Sequence, residues 1–354
     1  MDIVTVELQQ KKYPIFIQRG LIKNIGQKLK NIYKNKKIAI ITDTNVENLY
    51  GEKLRDSLQK EDYLIKTIIV EPGEKSKSFE ALQKIYDELL DSEMTRGDLL
   101  ITFGGGVVGD LGGFAASTFL RGIPFVQIPT SLLAQIDSSV GGKVAVNLPR
   151  GKNLVGSFYH PEAVFIDPDL LKTLDRRFLH DGMAEAIKYG LIKDKQLFQK
   201  LFNYETKEEL FENMEQIIYR CCSIKKMIVE KDEKDTGERM LLNFGHTIGH
   251  AIEKYFKYEK YTHGEAVAIG MLAITKKSEE IGITEKGTAD LIKEILIKYE
   301  LPYEMPEMDM EKLMKTIGVD KKNKGQIISI VLLKGIGDSF IKKIDRDGIV
   351  KYIN

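Results

Sequence analysis

The sequence predicts an α/β domain followed by a mainly helical domain, and three observations support this fold class. The length of 354 residues is typical of two domains, at about 150 residues each. In the first half, short β-branched segments alternate with amphipathic helical stretches, which indicates a parallel sheet with crossover helices. After about Pro168, helical patterns follow one another with almost no strand signal. We therefore predict one domain over residues 1–168 and another over residues 169–354.

The elements of the first domain follow from these patterns in chain order. Residues 3–7 and 13–18 alternate in polarity, as the strands of an antiparallel hairpin do. Strands are then predicted over residues 37–42, 63–70, 99–103, 124–128 and 164–166. Helices are predicted over residues 45–58, 79–90 and 111–120; in the second, Leu82, Ile85 and Leu89 recur at helical spacing. The second domain has its strand signal at residues 326–333.

Composition and charge argue against several classes of protein. Lys and Arg number 53 against 52 Asp and Glu, a net charge of +1, which is not the basic balance of a nucleic-acid binder. Asp110 interrupts the most apolar region, so no segment approaches the roughly 20 apolar residues that span a bilayer. The N-terminus lacks the apolar stretch of a signal peptide, and the adjacent Cys221 and Cys222 cannot form a disulfide framework. We expect a cytoplasmic protein that binds neither nucleic acid nor membrane.

Two glycine-rich regions are candidates for binding phosphate groups. Gly104 to Asp110 follows a predicted buried strand and leads into a helix, whose N-terminus would offer free N–H groups to a diphosphate. Its spacing departs from the GxGxxG fingerprint, and a tight turn that needs glycine for packing is the alternative. The second region spans residues 138–153 and carries Lys143 and Lys152. These cations could hold a phosphate or a carboxylate; a solvated loop with ordinary surface lysines is the alternative.

Three of the five histidines lie in one short stretch, as His246, His250 and His263. His246 and His250 are four residues apart, so a helix places both on one face, which suits either a divalent metal or a structural pair. The HTIGH segment lacks the glutamate of HExxH, which argues against a zinc protease. Glu185 and Lys188 are three apart in an apolar segment, where an ordinary surface ion pair is less expected than a functional one.

Six segments taken together closely resemble the 3-dehydroquinate synthases, a family of sugar phosphate cyclases. They are GGGVVGDL at 104–111, PTS at 129–131, DSSVGGK at 137–143, GKN at 151–153, AEAIK at 184–188 and LNFGHTIGH at 242–250. The match extends from the opening hairpin to the DKK segment at 320–322. The resemblance implies an α/β N-terminal dinucleotide-binding domain and a mainly α-helical C-terminal metal-binding domain.

By this resemblance, the protein is a lyase that converts 3-deoxy-D-arabino-heptulosonate 7-phosphate to 3-dehydroquinate and phosphate, a step of the shikimate pathway. The reaction proceeds through transient NAD-dependent oxidation, phosphate elimination, reduction and intramolecular aldol cyclisation. The metal ligands would be Glu185, His246 and His263, with zinc or cobalt as the metal. His250, which spacing alone pairs with His246, would instead exchange protons with the substrate.

The resemblance also assigns substrate and cofactor positions in this sequence. Residues implied to contact substrate or take part in catalysis are Arg121, Asp137, Lys143, Lys152, Asn153, Lys188, Lys225, Asp235, Arg239, Asn243, His250 and Lys321. Arg121 resembles the residue that reaches the phosphate bound to a neighbouring subunit, which implies a homodimer. Residues implied to bind NAD are Asp43, Asn45, Glu74, Lys77, Gly105, Gly106, Val107, Asp110, Thr130, Ser131, Thr173 and Leu174.

Two positions depart from the family pattern. Asp235 stands where relatives usually have Glu, which shortens an acid/base side chain by one methylene. Phe178 occupies a position where Glu commonly contacts the cofactor, so we expect that contact to be lost.

Three other functions compete with this interpretation. A 2-deoxy-scyllo-inosose synthase has no substrate carboxylate to bind and typically carries Glu at the position of Asn243, so Arg239 and Asn243 argue against it. A metal-dependent polyol dehydrogenase would release NADH stoichiometrically and has no use for Lys143 and Lys152. A non-enzymatic NAD-binding protein would not need the Glu185, His246 and His263 set.

Overall fold

The computed structural model describes residues 1–309, 312, 313, 316 and 327–353. These form two compact units. The first contains Met1–Leu174 and Met214–Glu230; the second contains Asp175–Asn213 and the described part of Lys231–Asn354.

The first unit is built on a seven-stranded sheet. Its strands are β1 Asp2–Glu7, β2 Lys12–Ile17, β3 Lys37–Asp43, β4 Leu64–Val70, β5 Leu99–Gly104, β6 Phe125–Pro129 and β9 Ala163–Ile166. Their order across the sheet is β1-β2-β9-β6-β5-β3-β4. β1 pairs antiparallel with β2, and every other pair in the sheet is parallel. The predicted hairpin and the five predicted strands are confirmed, with bounds that shift by a residue or so.

Helices cover both faces of this sheet, which is why its central strands are apolar on both sides. They are α1 Ile25–Leu29, α2 Thr44–Val46, α3 Glu52–Gln59, α4 Phe79–Asp91 and α5 Gly106–Thr118, with a π-helical turn joining α2 to α3. Leu54 and Leu58 of α3 share one buried cluster with Ile38 and Ile40. The opposite face of β3, at Ala39 and Ile41, belongs to a second cluster with α4 and α5.

A hairpin that the sequence does not predict lies beside α5. β7 Lys143–Leu148 pairs antiparallel with β8 Gly151–Phe158, in the region that the sequence analysis describes only as glycine-rich. The alternative of a solvated loop does not hold for β7, because Val144 and Val146 are buried core residues and the strand packs its apolar face inward. The pairing is irregular at one place, where Asn147 alone faces residues 152–154.

The helix α9 Met214–Lys231 differs from the predicted division of the chain. The sequence analysis assigns it to the second domain, whereas residues 214–230 group with the first unit. Its buried face includes Ile218 and Cys222, and the Cys222 thiol donates to the carbonyl of Gln135 at 3.3 Å. Burial of that face against the α/β unit explains the difference.

The second unit is mainly helical, as predicted. Its helices are α6 Arg176–Lys193, α7 Lys195–Asn203, α8 Lys207–Glu212, α10 His246–Tyr255, α11 His263–Glu280 and α12 Thr288–Lys298. The predicted strand at 326–333 corresponds to β10 Ile327–Gly335, which pairs antiparallel with β11 Asp338–Asp345, a strand that the sequence analysis misses. Among the helices of the described residues, none has the length and apolar character needed to cross a bilayer.

Candidate functional site

Three helices of the second unit bring a glutamate and two histidines together. Glu185 lies in the middle of α6, while His246 and His263 are the first residues of α10 and α11. The helices approach closely because small residues line their contacts: a Cβ at Gly270 of α11 would lie 2.1 Å from the carbonyl oxygen of Gly245. That distance excludes any side chain, so glycine permits the approach.

The three side chains converge on one point. Their ligand atoms all lie within 4.8 Å of one another. Glu185 Oε1 is 3.7 Å from His246 Nε2 and 3.6 Å from His263 Nε2. Glu185 is 1% exposed, so its carboxylate is held in a nearly water-free position. Two imidazoles and a carboxylate are the protein ligands of many catalytic zinc sites.

The other nitrogen of each imidazole is already committed, which leaves Nε2 directed at Glu185. Nδ1 of His246 donates to the carbonyl of Phe244 at 3.0 Å, and Nδ1 of His263 donates to the carboxylate of Glu253 at 3.3 Å. Metal-ligating histidines usually make such a bond to a carbonyl or carboxylate, which fixes the tautomer and the ring orientation. The donor set and its outer partners therefore fit a divalent metal.

Charge in this cluster is balanced by a buried lysine. Lys188, one helical turn after Glu185, forms an ion pair with it. Burial, and next the Lys188 charge, lower the pKa of His246 well below its usual range, so it is held in the neutral form that binds metals. Burial also lowers the pKa of His263, but hydrogen bonds with Glu185 and Glu253 outweigh this and raise it to about 10.

His250 lies beside the cluster and is exposed. Its ring centroid is 5.2 Å from that of His246 and 5.8 Å from that of His263. His250, Glu253 and His263 form a second group with ligand-like spacing that shares His263 with the first. Each group contains a buried glutamate; the two groups differ in that the first includes the buried His246 and the second the exposed His250.

Three of the remaining sequence-predicted residues of the second unit lie in the segment of the chain that precedes α10, and one lies on α6. Arg239 is buried, and its Nη1 donates to the carbonyl of Glu233 at 2.5 Å. Asp235 lies in the preceding turn with φ +59°, and Asn243 is exposed at the end of a 3-10 segment. Phe178 is 53% exposed on α6. Lys321 lies outside the described residues.

In the first unit, most residues implied to bind a dinucleotide gather at the carboxyl ends of parallel strands. Asp43 ends β3 and caps the following helix by accepting from Asn45 N at 2.9 Å and Val46 N at 3.1 Å. Gly105 to Val107 follow β5, Thr130 and Ser131 follow β6, and Thr173 and Leu174 come after β9. β4 lies on one side of β3 and β5 on the other, so the order in which successive strands are added to the sheet reverses between β3 and β5. Open α/β sheets bind ligands at such a switch point.

A buried lysine connects two groups of these residues. Lys77 is 4% exposed, and its Nζ donates to Asp110 of α5 and to the side-chain carbonyl of Asn153. Lys152 Nζ is 4.0 Å from Glu74 Oε2. Burial raises the pKa of Asp110, and the Lys77 charge opposes that shift. Residues implied to bind NAD and residues implied to bind substrate thus form one hydrogen-bonded cluster.

A second ion pair in the same unit joins residues that the sequence analysis treats separately. Lys225, buried on α9, lies 2.9 Å from Asp137 Oδ1 and donates to the Asp137 carbonyl at 2.6 Å. Lys143, at the start of β7, and Arg121 are exposed. Arg121 follows Leu120 in a turn where both residues have positive φ, +69° and +49°.

The sequence analysis misses three residues that support these clusters. Glu253 orients His263, and its position three residues after His250 was a usable signal. Asp181 is buried one turn before Glu185 and accepts from Gly264 N at 2.5 Å, which fixes the start of α11. Asn147 bonds to both Glu74 and Asn153. For Asp181 and Asn147 the sequence gives no signal, because their partners are distant in the chain.

Fold and side chains together define the class: a doubly wound α/β unit with polar residues at a switch point, joined in one chain to a helical unit with a candidate divalent-metal group. Residues 67–181 match the family model of the 3-dehydroquinate synthase N-terminal region, and residues 182–323 match that of the C-terminal region. A 3-dehydroquinate synthase of Clostridium botulinum is 60% identical over 97% of this chain and 98% of its own length. One of Clostridium acetobutylicum is 54% identical over 100% of this chain and 99% of its own. The chain belongs to the 3-dehydroquinate synthase family.

Solved structures with other names share the fold. A 2-epi-5-epi-valiolone synthase from Streptomyces hygroscopicus, with NAD+ and Zn2+ bound, is 26% identical, with a TM-score of 0.87 over 97% of this chain and 96% of its own. A 2-deoxy-scyllo-inosose synthase is 23% identical with a TM-score of 0.86, over 99% of both chains. At 23% identity, the similarity to the 2-deoxy-scyllo-inosose synthase concerns the fold alone.

Proposed function

We propose that the protein catalyses the 3-dehydroquinate synthase reaction, as a lyase that uses NAD and one divalent metal. The substrate, 3-deoxy-D-arabino-heptulosonate 7-phosphate, gives 3-dehydroquinate and inorganic phosphate. The observation that carries the proposal is the group of Glu185, His246 and His263, the first two of them buried, with its oriented imidazoles, in a chain of this family. This group suits a reaction that must acidify a hydroxyl.

The residues that would hold the two cofactors belong to different units. Glu185, His246 and His263 would bind the metal, which supplies the positive charge that lowers the pKa of a substrate hydroxyl. Residues at the carboxyl ends of β3, β5 and β6, with Glu74, Lys77 and Asp110, would bind NAD, which accepts a hydride and later returns it. The aspartate at the end of β3 and the glycines after β5 suit a ribose and a diphosphate respectively.

Cationic and amide side chains would bind the two anionic groups of the substrate. In the second unit, Arg239 is buried and its bond to the Glu233 carbonyl orients its guanidinium before a carboxylate binds. Asn243 would add a neutral donor. In the first unit, Lys152 and Asn153 lie together on β8, where they would contact the phosphate group.

The protons of the reaction would be exchanged by His250, which is exposed while its ring lies beside two candidate ligands. Lys188 would balance the charge of Glu185 by pairing with it, and Asp235 would act as an acid or base where relatives have Glu. The Asp235 side chain is one methylene shorter than that of Glu.

The same proposal includes a homodimer in which Arg121 contributes to the partner's phosphate site. The turn that carries Arg121 holds three successive residues with positive φ, Leu120, Arg121 and Gly122, and Arg121 is exposed there. Leu120 and Phe158 are exposed apolar residues of this unit that a partner would cover. Sedimentation velocity gives the mass: a dimer of 40.2 kDa chains is expected, and a monomer at working concentration refutes this part.

The function is tested in one assay that follows phosphate and NADH together, with and without a chelator, on protein supplied with NAD, zinc and substrate. Phosphate release that the chelator abolishes, without NADH accumulation, is expected. NADH accumulation without phosphate would instead indicate a dehydrogenase. Failure to release phosphate at all would refute the proposal.

A further inference from the structure

Asn147 occupies an irregular position in the β7–β8 hairpin. Regular pairing holds up to Val146 with Val155 and resumes at Leu148 with Gly151, so Asn147 faces residues 152–154 alone. Irregularities of this kind redirect side chains and are frequent next to active sites. Here the extra residues of β8 include Lys152 and Asn153, two residues of the proposed phosphate site.

Asn147 makes three hydrogen bonds, two to the separate segment of residues 74–77 and one within the hairpin. Its backbone N–H donates to the carbonyl of Lys77 at 2.8 Å. Its Nδ2 donates to Glu74 Oε1 at 2.7 Å, and its Oδ1 accepts from the backbone N–H of Asn153 at 2.9 Å. Both polar atoms of the side-chain amide are therefore engaged: Nδ2 donates to a carboxylate, and Oδ1 accepts from a backbone N–H.

These bonds fix the conformation of residues on either side. Asn153 has φ +58°, a left-handed conformation that is uncommon outside glycine and asparagine. The bond to Asn147 Oδ1 satisfies its N–H there, and its side-chain carbonyl accepts from Lys77. Lys77 also donates to Asp110, so the position of Asn153 affects the position of Lys77.

We propose that Asn147 is a positioning residue, which aligns Glu74 and Lys77 of the dinucleotide site with Lys152 and Asn153 of the phosphate site. This inference rests on the proposed function. Asn147 belongs to none of the residue sets that the family resemblance implies, and it acts through its neighbours without touching substrate. Because it links both sets, its loss weakens NAD binding and substrate binding together.

The test is a pair of substitutions that reverses one hydrogen bond. Asn147→Asp keeps the acceptor for Asn153 N–H but places a carboxylate against Glu74. Adding Glu74→Gln restores a donor–acceptor pair in the opposite direction and returns the charge of the pair to its original value. Dissociation constants for NAD are measured by calorimetry, and kcat and KM for the substrate by phosphate release.

For Asn147→Asp we expect NAD affinity to fall about tenfold and the substrate KM to rise, the size of one bond lost to a charged partner. The double variant should bind NAD no more weakly than Glu74→Gln alone. If the loss of NAD affinity in the double variant equals the product of the losses in Asn147→Asp and Glu74→Gln, the inference is overturned. Wild-type NAD affinity and substrate KM in Asn147→Asp would also overturn it. If the aspartate variant does not fold, Asn147→Ala removes both side-chain bonds without adding charge; it should weaken NAD binding and raise the substrate KM together, and wild-type values of both would overturn the inference.

A matched control separates positioning from general damage to the hairpin. Ser157, also on β8, donates to Ser117 of α5 at 2.8 Å, and Ser157→Ala removes that bond away from the cluster. It should change the melting temperature more than the NAD affinity. Failure of the proposed function can be told apart from failure of this inference. If the wild-type protein binds NAD but releases no phosphate, the proposed function fails, while the comparison of NAD affinities still tests Asn147.

Discussion

Replacing Glu253 by Gln removes the negative charge behind His263 and leaves the shape of the side chain almost unchanged. Glu253 is buried, and its Oε2 accepts from His263 Nδ1 at 3.3 Å. The carboxylate makes Nε2 of the imidazole more electron-rich, so its loss weakens the bond that Nε2 makes to a metal.

The size of the effect follows from the geometry. Outer partners of this kind contribute about 10- to 100-fold to metal affinity. The 3.3 Å separation is long for a charge-assisted bond, and the His263 side chain is 29% exposed, so water screens part of the charge. We therefore expect the lower end, about tenfold weaker zinc binding, or about 1.4 kcal/mol.

Zinc affinity is measured by competition with a chromophoric chelator on metal-free protein. Glu259→Gln is the matched control, because it removes the same charge from an exposed position in the segment between α10 and α11. Wild-type zinc affinity in Glu253→Gln, or an equal loss in both variants, would refute the assignment of Glu253 to the metal centre.

Three further predictions concern other parts of the protein. Cys221 and Cys222 are buried, and burial raises the pKa of Cys222 to about 12, so a thiol reagent at pH 8 should modify neither until the protein unfolds; rapid labelling of the native protein contradicts this. Gly270→Ala would place a methyl group 2.1 Å from a backbone carbonyl oxygen, and should lower the free energy of unfolding in urea by about 1–3 kcal/mol; an unchanged midpoint contradicts the close approach. Arg177 makes two contacts of 2.7 Å with Glu265, but it is about half exposed, so Arg177→Ala should cost no more than about 1 kcal/mol. Burial tends to raise the pKa of Glu265, but Arg177 and hydrogen bonds with Thr262 together outweigh burial and leave that pKa lowered. The cost of Arg177→Ala should therefore be present at pH 7 and vanish as the pH falls through the lowered pKa of Glu265; a cost that persists in acid contradicts the pairing.

The sequence predicts the α/β unit well because each central strand is a short apolar segment bounded by turn residues. β5, for example, is buried at every position and ends at the first of three successive glycines. The β7–β8 hairpin escapes prediction because glycines at both ends mask a strand whose buried face is set by α5. The grouping of α9 with the first unit is not visible either, since amphipathic spacing shows that one face is buried and not what covers it.

The candidate metal group shows a similar limit. Helical spacing correctly places His246 and His250 near each other, with ring centroids 5.2 Å apart. It cannot identify Glu185, which lies 61 positions before His246 and reaches it only through the packing of α6 against α10 and α11. The family resemblance implies Glu185, whereas Asn147 and Asp181 are found only from their contacts in the structure.

The central claim is that NAD acts as a catalyst and is not consumed. It is tested most directly by supplying zinc-loaded protein with one equivalent of NAD and a large excess of 3-deoxy-D-arabino-heptulosonate 7-phosphate. We predict many equivalents of phosphate and 3-dehydroquinate per NAD, with the absorbance of NADH returning to its starting value. Turnover that stops after one equivalent, with NADH left behind, would contradict the account.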